Sequence, residues 1–104
     1  MHRSWTEAAL AALRDIPSEQ VLRLVAIDYK ADPTYVSVKD PRTRRWQVHT
    51  RCGDFEILTT GPHKWFDTRI NRGGGGAIDL TMHLLQLPFV GAVKQLAEFQ
   101  RPAV

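Results

Sequence analysis

The sequence contains one cysteine, Cys52, so no internal disulfide can form and a four-cysteine zinc site is excluded. No apolar run reaches the ~18 residues that a membrane span requires. The first residues, Met1 to Trp5, lack the apolar core and cleavage pattern of a signal peptide, and Glu7 and Asp15 follow at once. A cytosolic location with no membrane association is therefore expected. Internal repeats are missing, and the only low-complexity stretch is Gly73-Gly74-Gly75-Gly76. Catalytic sets are missing too. Ser4, Ser18 and Ser37 have no nucleophile-elbow context. Nothing in the sequence gives Cys52 an oxyanion hole or a third orienting group. The chain is not expected to be an enzyme.

What remains is ordinary globular chemistry: 104 residues, 43% hydrophobic and 24% charged. That length supports one modest core and is too short for two, so residues 1–104 are read as a single domain. The net charge of +3 is mild, but its distribution is uneven. Lys39, Arg42, Arg44, Arg45 and Arg51 stand against Asp40 alone, and Lys64, Arg69 and Arg72 stand against Asp67. The remaining acids gather mostly upstream, at Glu7, Asp15, Glu19, Asp28 and Asp32. A basic face of this kind suits a phosphate backbone, and it also suits a plain solvated surface.

Residues 1–26 read as helical. Ser4-x-x-Glu7 forms a capping box ahead of an apolar stripe, Trp5, Ala8, Ala9, Ala12 and Leu13. Pro17 fits the first position of a second short helix carrying Val21, Leu22, Leu24 and Val25. Residues 35–70 read as an antiparallel meander. Tyr35 to Val38, Trp46 to Thr50, Phe55 to Thr59 and Lys64 to Thr68 are its candidate strands, with turns at Cys52-Gly53-Asp54 and Gly61-Pro62. Residues 76–101 read as two helices, divided at Pro88. The predicted fold is α+β: a small antiparallel sheet of three to four strands, covered on one face by two N-terminal and two C-terminal helices.

Three constellations could carry chemistry. The glycine run meets a helix start at Ala77, where free N–H groups and the helix dipole could hold a phosphate close to Gly74 and Gly75. No Lys-Ser or Lys-Thr follows, so this is not a P-loop. Asp79 in the first turn could instead stabilise the helix by itself, leaving the run as a flexible turn. His49-x-x-Cys52, with His63 and Asp67 downstream, has acceptable spacing for half a zinc knuckle, but a second tight pair is missing. No metal or other cofactor is expected. Trp46, Trp65 and Phe66 lie among Arg44, Arg45, Lys64 and Arg69, a composition suited to stacking on single-stranded bases. Strand alternation sends Trp65 and Phe66 to opposite faces, so one of the two belongs to the core.

The segment from Trp46 to Glu98 resembles a known family. Asn71-Arg72-Gly73-Gly74-Gly75-Gly76-Ala77-Ile78-Asp79-Leu80 and then Phe89-Val90-Gly91-Ala92-Val93-Lys94-Gln95-Leu96-Ala97 are similar to the end of the zinc-binding, zinc-ribbon domain of bacterial primases. In register, Thr68 and Asn71 stand where that family's second cysteine pair belongs, and the upstream ligands fall near Gln47 and Thr50. No zinc ligand survives on this register. The chain thus resembles zinc-less relatives at the front of Toprim-containing proteins of plasmids and integrative elements, where a Trp-Phe-Asp segment (here Trp65-Phe66-Asp67) precedes the Gly-rich turn. The resemblance implies an accessory role in replication, contacting single-stranded or primed DNA. It implies no priming chemistry, because the Toprim acids belong to a separate domain. On this reading Arg44, Arg45, Lys64, Arg69 and Arg72 neutralise phosphates, Trp46 or Trp65 stacks on a base, and Gly74 and Gly75 admit a phosphate. The alternative is a docking domain for a primase, helicase or Toprim partner, using an apolar strip of Leu87, Phe89, Val90 and Phe99.

Overall fold

The computed structural model describes residues 5–99. The first helix, α1 (Glu7–Arg14), is capped by Thr6, whose Oγ1 accepts the Ala9 N–H at 3.0 Å. The cap therefore comes two residues after the expected Ser4, which lies outside the described residues. Pro17 precedes α2 (Ser18–Val25) as its cap rather than as its first helical residue, and Val21, Leu22 and Val25 form the buried stripe. Near the other end of the chain, α3 (Ala77–Leu85) is buried almost all round. That is the pattern of a helix enclosed by neighbours. The last helix, α4 (Phe89–Phe99), buries Ala92, Val93 and Leu96.

Between the helix pairs lies one antiparallel sheet of five strands in sequential order: β1 (Asp28–Ala31), β2 (Thr43–Thr50), β3 (Gly53–Thr60), β4 (Lys64–Asp67) and β5 (Arg72–Gly75). The α+β class and the meander agree with expectation, and the strand count exceeds it. The candidate strand at Tyr35 to Val38 is not a strand; the first strand lies earlier, with Asp28 opposite His49 and Ala31 opposite Trp46. The other unexpected strand is the glycine run itself, paired with β4 through Trp65 and Gly74, and Phe66 and Gly73.

Glycine has little strand preference, so close approach explains β5. A Cβ on Gly73 would lie 2.8 Å from Phe66 Cδ1 and 2.9 Å from the Trp65 carbonyl oxygen. One on Gly74 would lie 1.8 Å from Asp79 Oδ2 and 3.0 Å from Trp65 Cζ2. Gly76 turns the chain into α3 at φ 91°, where other residues are strained. Gly75 has nothing nearer than 3.9 Å and an ordinary φ. Gly73→Ala is thus expected to cost roughly 1–3 kcal/mol by overpacking against backbone and ring. Gly75→Ala is expected to be neutral or to stabilise by about 0.4–1 kcal/mol through the unfolded chain. Urea unfolding of the two variants separates these outcomes, and equal losses would show that the run acts as a unit.

The sheet's inner face, covered by the helices, carries Trp46, Val48, Ile57 and Trp65, which share one core with Val21, Leu22, Leu80, Leu84, Val93 and Leu96. Polar groups that enter the core are mostly matched, as desolvation demands. Trp46 Nε1 donates to Thr59 Oγ1 at 2.9 Å, and Thr50 Oγ1 donates to the Leu84 carbonyl at 3.0 Å. His83 on α3 meets Asp67 on β4 at 2.7 Å, with its ring stacked 4.8 Å from that of Trp65. These contacts fix α3 against the sheet, and among the described residues no helix covers the opposite face.

Candidate nucleic-acid interface

The residues singled out by sequence divide between the two faces. Arg44 lies on the helix side, where its guanidinium pairs with Glu19 at 3.2 Å and sits 4.8 Å over the Trp46 ring. Arg45 points the other way, pairing with Asp32 and lying 4.9 Å over the Tyr35 ring. The two adjacent arginines therefore form no common patch, and each has an acidic partner. Trp46 is 6% exposed and Trp65 2% exposed. Neither ring has a free face for a base, which corrects the expected stacking role. Of the Trp65 and Phe66 pair, Trp65 is the core residue, and Phe66 lies on the outer face.

The glycine turn differs from expectation as well. Gly74 and Gly75 belong to an edge strand, and the Asp79 carboxylate occupies the space over Gly74. A phosphate there would meet a like charge, so the seat expected at the start of α3 is not available in this form. Arg69 turns away, donating through Nη1 to the Asp54 carbonyl at 3.2 Å. Arg72 pairs with Asp67 through the β4–β5 ladder, and its exposed guanidinium makes no hydrogen bond or ion pair among the described residues.

The candidate metal residues are dispersed. His49 Nδ1 lies 2.5 Å from Asp54 Oδ1, and Cys52 Sγ donates to the Leu85 carbonyl at 3.2 Å. His63 lies in the β3–β4 turn beside Asp15, at the opposite end of the sheet. Among the described residues no group of three His, Cys, Asp or Glu is placed to hold a metal ion. Gln47 and Thr68, which the resemblance sets at ligand positions, are joined through Glu56. Thr68 Oγ1 and Gln47 Nε2 donate to its two oxygens at 2.5 and 2.9 Å. These hydrogen bonds, that of Thr68 foremost, hold the Glu56 carboxyl below its ordinary range.

The structure assembles a different site on the outer face. Residues 33–40 cross it as a strap, and between strap and sheet lies a cleft of about 290 Å³. Its floor is Leu58 and Phe66, cross-strand partners on β3 and β4. Tyr35, Ser37 and Lys39 line it from the strap, and Lys64 from the sheet. Asp40 also lines it, but its carboxylate accepts from Arg42 Nε at 3.2 Å and Nη2 at 2.9 Å, which lowers its pKa. Lys64 was expected at the site; Tyr35, Lys39, Leu58 and Phe66 were not. The sequence signal for the strap is the alternation Tyr35-x-Ser37-x-Lys39, which reads equally well as a strand.

The strap's first anchor is Asp32. Its carboxylate accepts from Thr34 Oγ1 at 2.7 Å and from the Arg45 guanidinium. The Thr34 hydrogen bond, then that of Arg45, holds its pKa at about 2 against the ordinary 3.8. A depressed carboxylate favours the folded state above its unfolded pKa and loses that contribution as pH falls through its folded value. The anchor is therefore expected to persist on acidification until about pH 2. In carbon NMR the Asp32 carboxyl should titrate with a midpoint near 2; a midpoint near 3.8 would show an unpinned strap.

No protein-family model, curated protein or solved structure matches the chain. No helix among the described residues is long and apolar enough to cross a membrane.

Proposed function

We propose that the chain is a single-stranded nucleic-acid-binding module, without catalysis of its own, whose contact surface is the outer face of the sheet at the strap. The observation that carries this reading is the cleft. It joins an apolar and aromatic lining, Tyr35, Leu58 and Phe66, to two cations, Lys39 and Lys64, while its single acid is matched by Arg42. Bases need stacking surface and phosphates need cations, and here both occur at one place. The resemblance noted in the sequence supports the same direction, a replication or mobile-element accessory that meets exposed template DNA. The docking alternative has less support. Val90 and Phe99 are nine positions apart, about half a turn out of phase on α4, so the expected apolar strip is not continuous.

Fluorescence anisotropy of a labelled oligothymidylate tests the proposal. With two phosphates neutralised, at Lys39 and Lys64, affinity should fall about 7-fold between roughly 50 and 200 mM salt. No saturable binding at the lower salt would overturn it.

A further inference from the structure

The outer face of the sheet is otherwise polar, with Gln47 opposite Glu56 and His49 opposite Asp54. Leu58 and Phe66 interrupt it, and the helices on the inner face cannot account for them. Phe66 reaches across to Gly73, where the missing Cβ lets the ring lie against the β5 backbone. The result is a flat apolar floor that spans three strands.

The strap stands off this floor because it is held only at its ends. At one end Asp32 N–H donates to the Arg45 carbonyl at 2.8 Å, and Arg45 in turn covers Tyr35. At the other, Asp40 N–H donates to Ser37 Oγ at 3.3 Å and Thr43 N–H to the Asp40 carbonyl at 3.1 Å. Between Tyr35 and Asp40 no backbone hydrogen bond ties the strap to the sheet among the described residues. Val36 and Val38 face solvent, at 82% and 99% exposure. The alternation is that of a strand, yet the sheet-facing side chains leave a cleft instead of closing a ladder.

We infer that this cleft receives one unpaired base, laid on Phe66 beneath the strap, with its flanking phosphates against Lys39 and Lys64. The inference rests on the nucleic-acid reading and adds what is recognised. A planar apolar face suits the Leu58 and Phe66 floor. Thr43 and Thr60 bond each other at 2.7 Å, while Ser37 Oγ, which accepts the Asp40 N–H, keeps its own hydroxyl proton to donate to a base edge. The rim carries the charge complementary to a phosphodiester. A base inside a duplex is stacked on both sides and paired along its edge, so it cannot enter under a strap anchored at both ends. Single strands should be preferred for that reason alone.

The test compares three probes of equal length: an oligothymidylate, a fully abasic strand and a duplex. The wild-type protein should bind the oligothymidylate on the order of 10-fold tighter than the abasic strand or the duplex. Phe66→Ala should reduce oligothymidylate binding to the abasic level and leave abasic binding unchanged. Because Phe66 packs on Gly73, a second variant, Phe66→Leu, keeps an apolar side chain against the β5 backbone while removing the flat ring, and it should show the same loss. Equal wild-type binding of the oligothymidylate and the abasic strand would overturn the base slot while leaving phosphate-driven binding intact. Binding of none of the probes would remove the nucleic-acid reading itself.

Discussion

His83→Leu is expected to cost about 2–4 kcal/mol of folding stability, the sum of leaving a buried hydrogen-bonding group without its partner and losing aromatic packing. His83 and Asp67 have side chains only 6% and 3% exposed and lie 2.7 Å apart. Asp67 uses its other oxygen to accept the Arg69 N–H at 2.9 Å, which shapes the turn into β5. Without the imidazole, one carboxylate oxygen remains buried with no protein donor. The ring also stacks on Trp65 and meets Phe55 edge-on at 5.5 Å, so aromatic packing is lost with it. For a domain whose total stability is typically about 5–15 kcal/mol, the loss is large. Urea unfolding followed by tryptophan fluorescence measures it. Adding Asp67→Ala should cost less than the sum of the single changes by roughly 1–3 kcal/mol, the signature of coupled neighbours. A loss below about 1 kcal/mol for His83→Leu would mean that water satisfies the pair.

The second large effect concerns binding. Lys39→Ala with Lys64→Ala should lower affinity for an oligothymidylate about 50-fold at low salt and reduce the slope of log affinity against log salt by about 1.4. Both lysines line the cleft, where the one neighbouring acid is matched by Arg42. Arg44→Ala is the control of most interest, because charge alone would place it in the same patch. Its guanidinium is on the helix side against Glu19 and Trp46. It should change affinity less than about threefold and leave the slope unchanged. The reverse ranking, with Arg44 dominant, would move the contact surface to the inner edge of the sheet.

Much of the fold was legible because its longest strands alternate cleanly. Trp46, Val48 and Thr50 point inward on β2, as do Ile57 and Thr59 on β3, and α3 and α4 show continuous helical periodicity. β1 was hidden because Asp-Tyr-Lys-Ala has little strand preference. β5 was hidden because glycine has no side chain to show a period. Its pairing depends on Trp65 and Phe66, whose backbone and rings leave room for nothing larger. The strap shows the opposite case: Tyr35 to Val38 has real alternation, but its neighbour is a cleft rather than a strand. At the site, the charges were legible and their partners were not. Glu19 lies 25 residues from Arg44, and Asp32 lies 13 from Arg45. Local composition cannot assign such pairs, and they decide which cations remain available. Alternation correctly opposed Trp65 to Phe66, but only the placement of α3 determines which ring is buried.

The sheet joins every strand to its neighbour in sequence, and this bears on how the protein assembles. From β2 onward each hairpin closes over a short connection, the shortest being Arg51-Cys52 between β2 and β3, so little chain entropy is lost before pairing begins, whereas β1 reaches β2 only through the long segment 32–42 that carries the strap. α1 and α2, by contrast, pack on α3 from more than fifty residues away. The hairpins from β2 onward are thus expected to form early, and the N-terminal helices, whose main packing partner is α3, to complete their docking later. The same asymmetry operates in the finished molecule. Detaching α1 breaks few contacts with the sheet and leaves its ladder intact, so the N-terminal end should open by partial unfolding far more often than the β2–β3 hairpin. The strap and its cleft, built on the hairpins, would keep their shape through such openings.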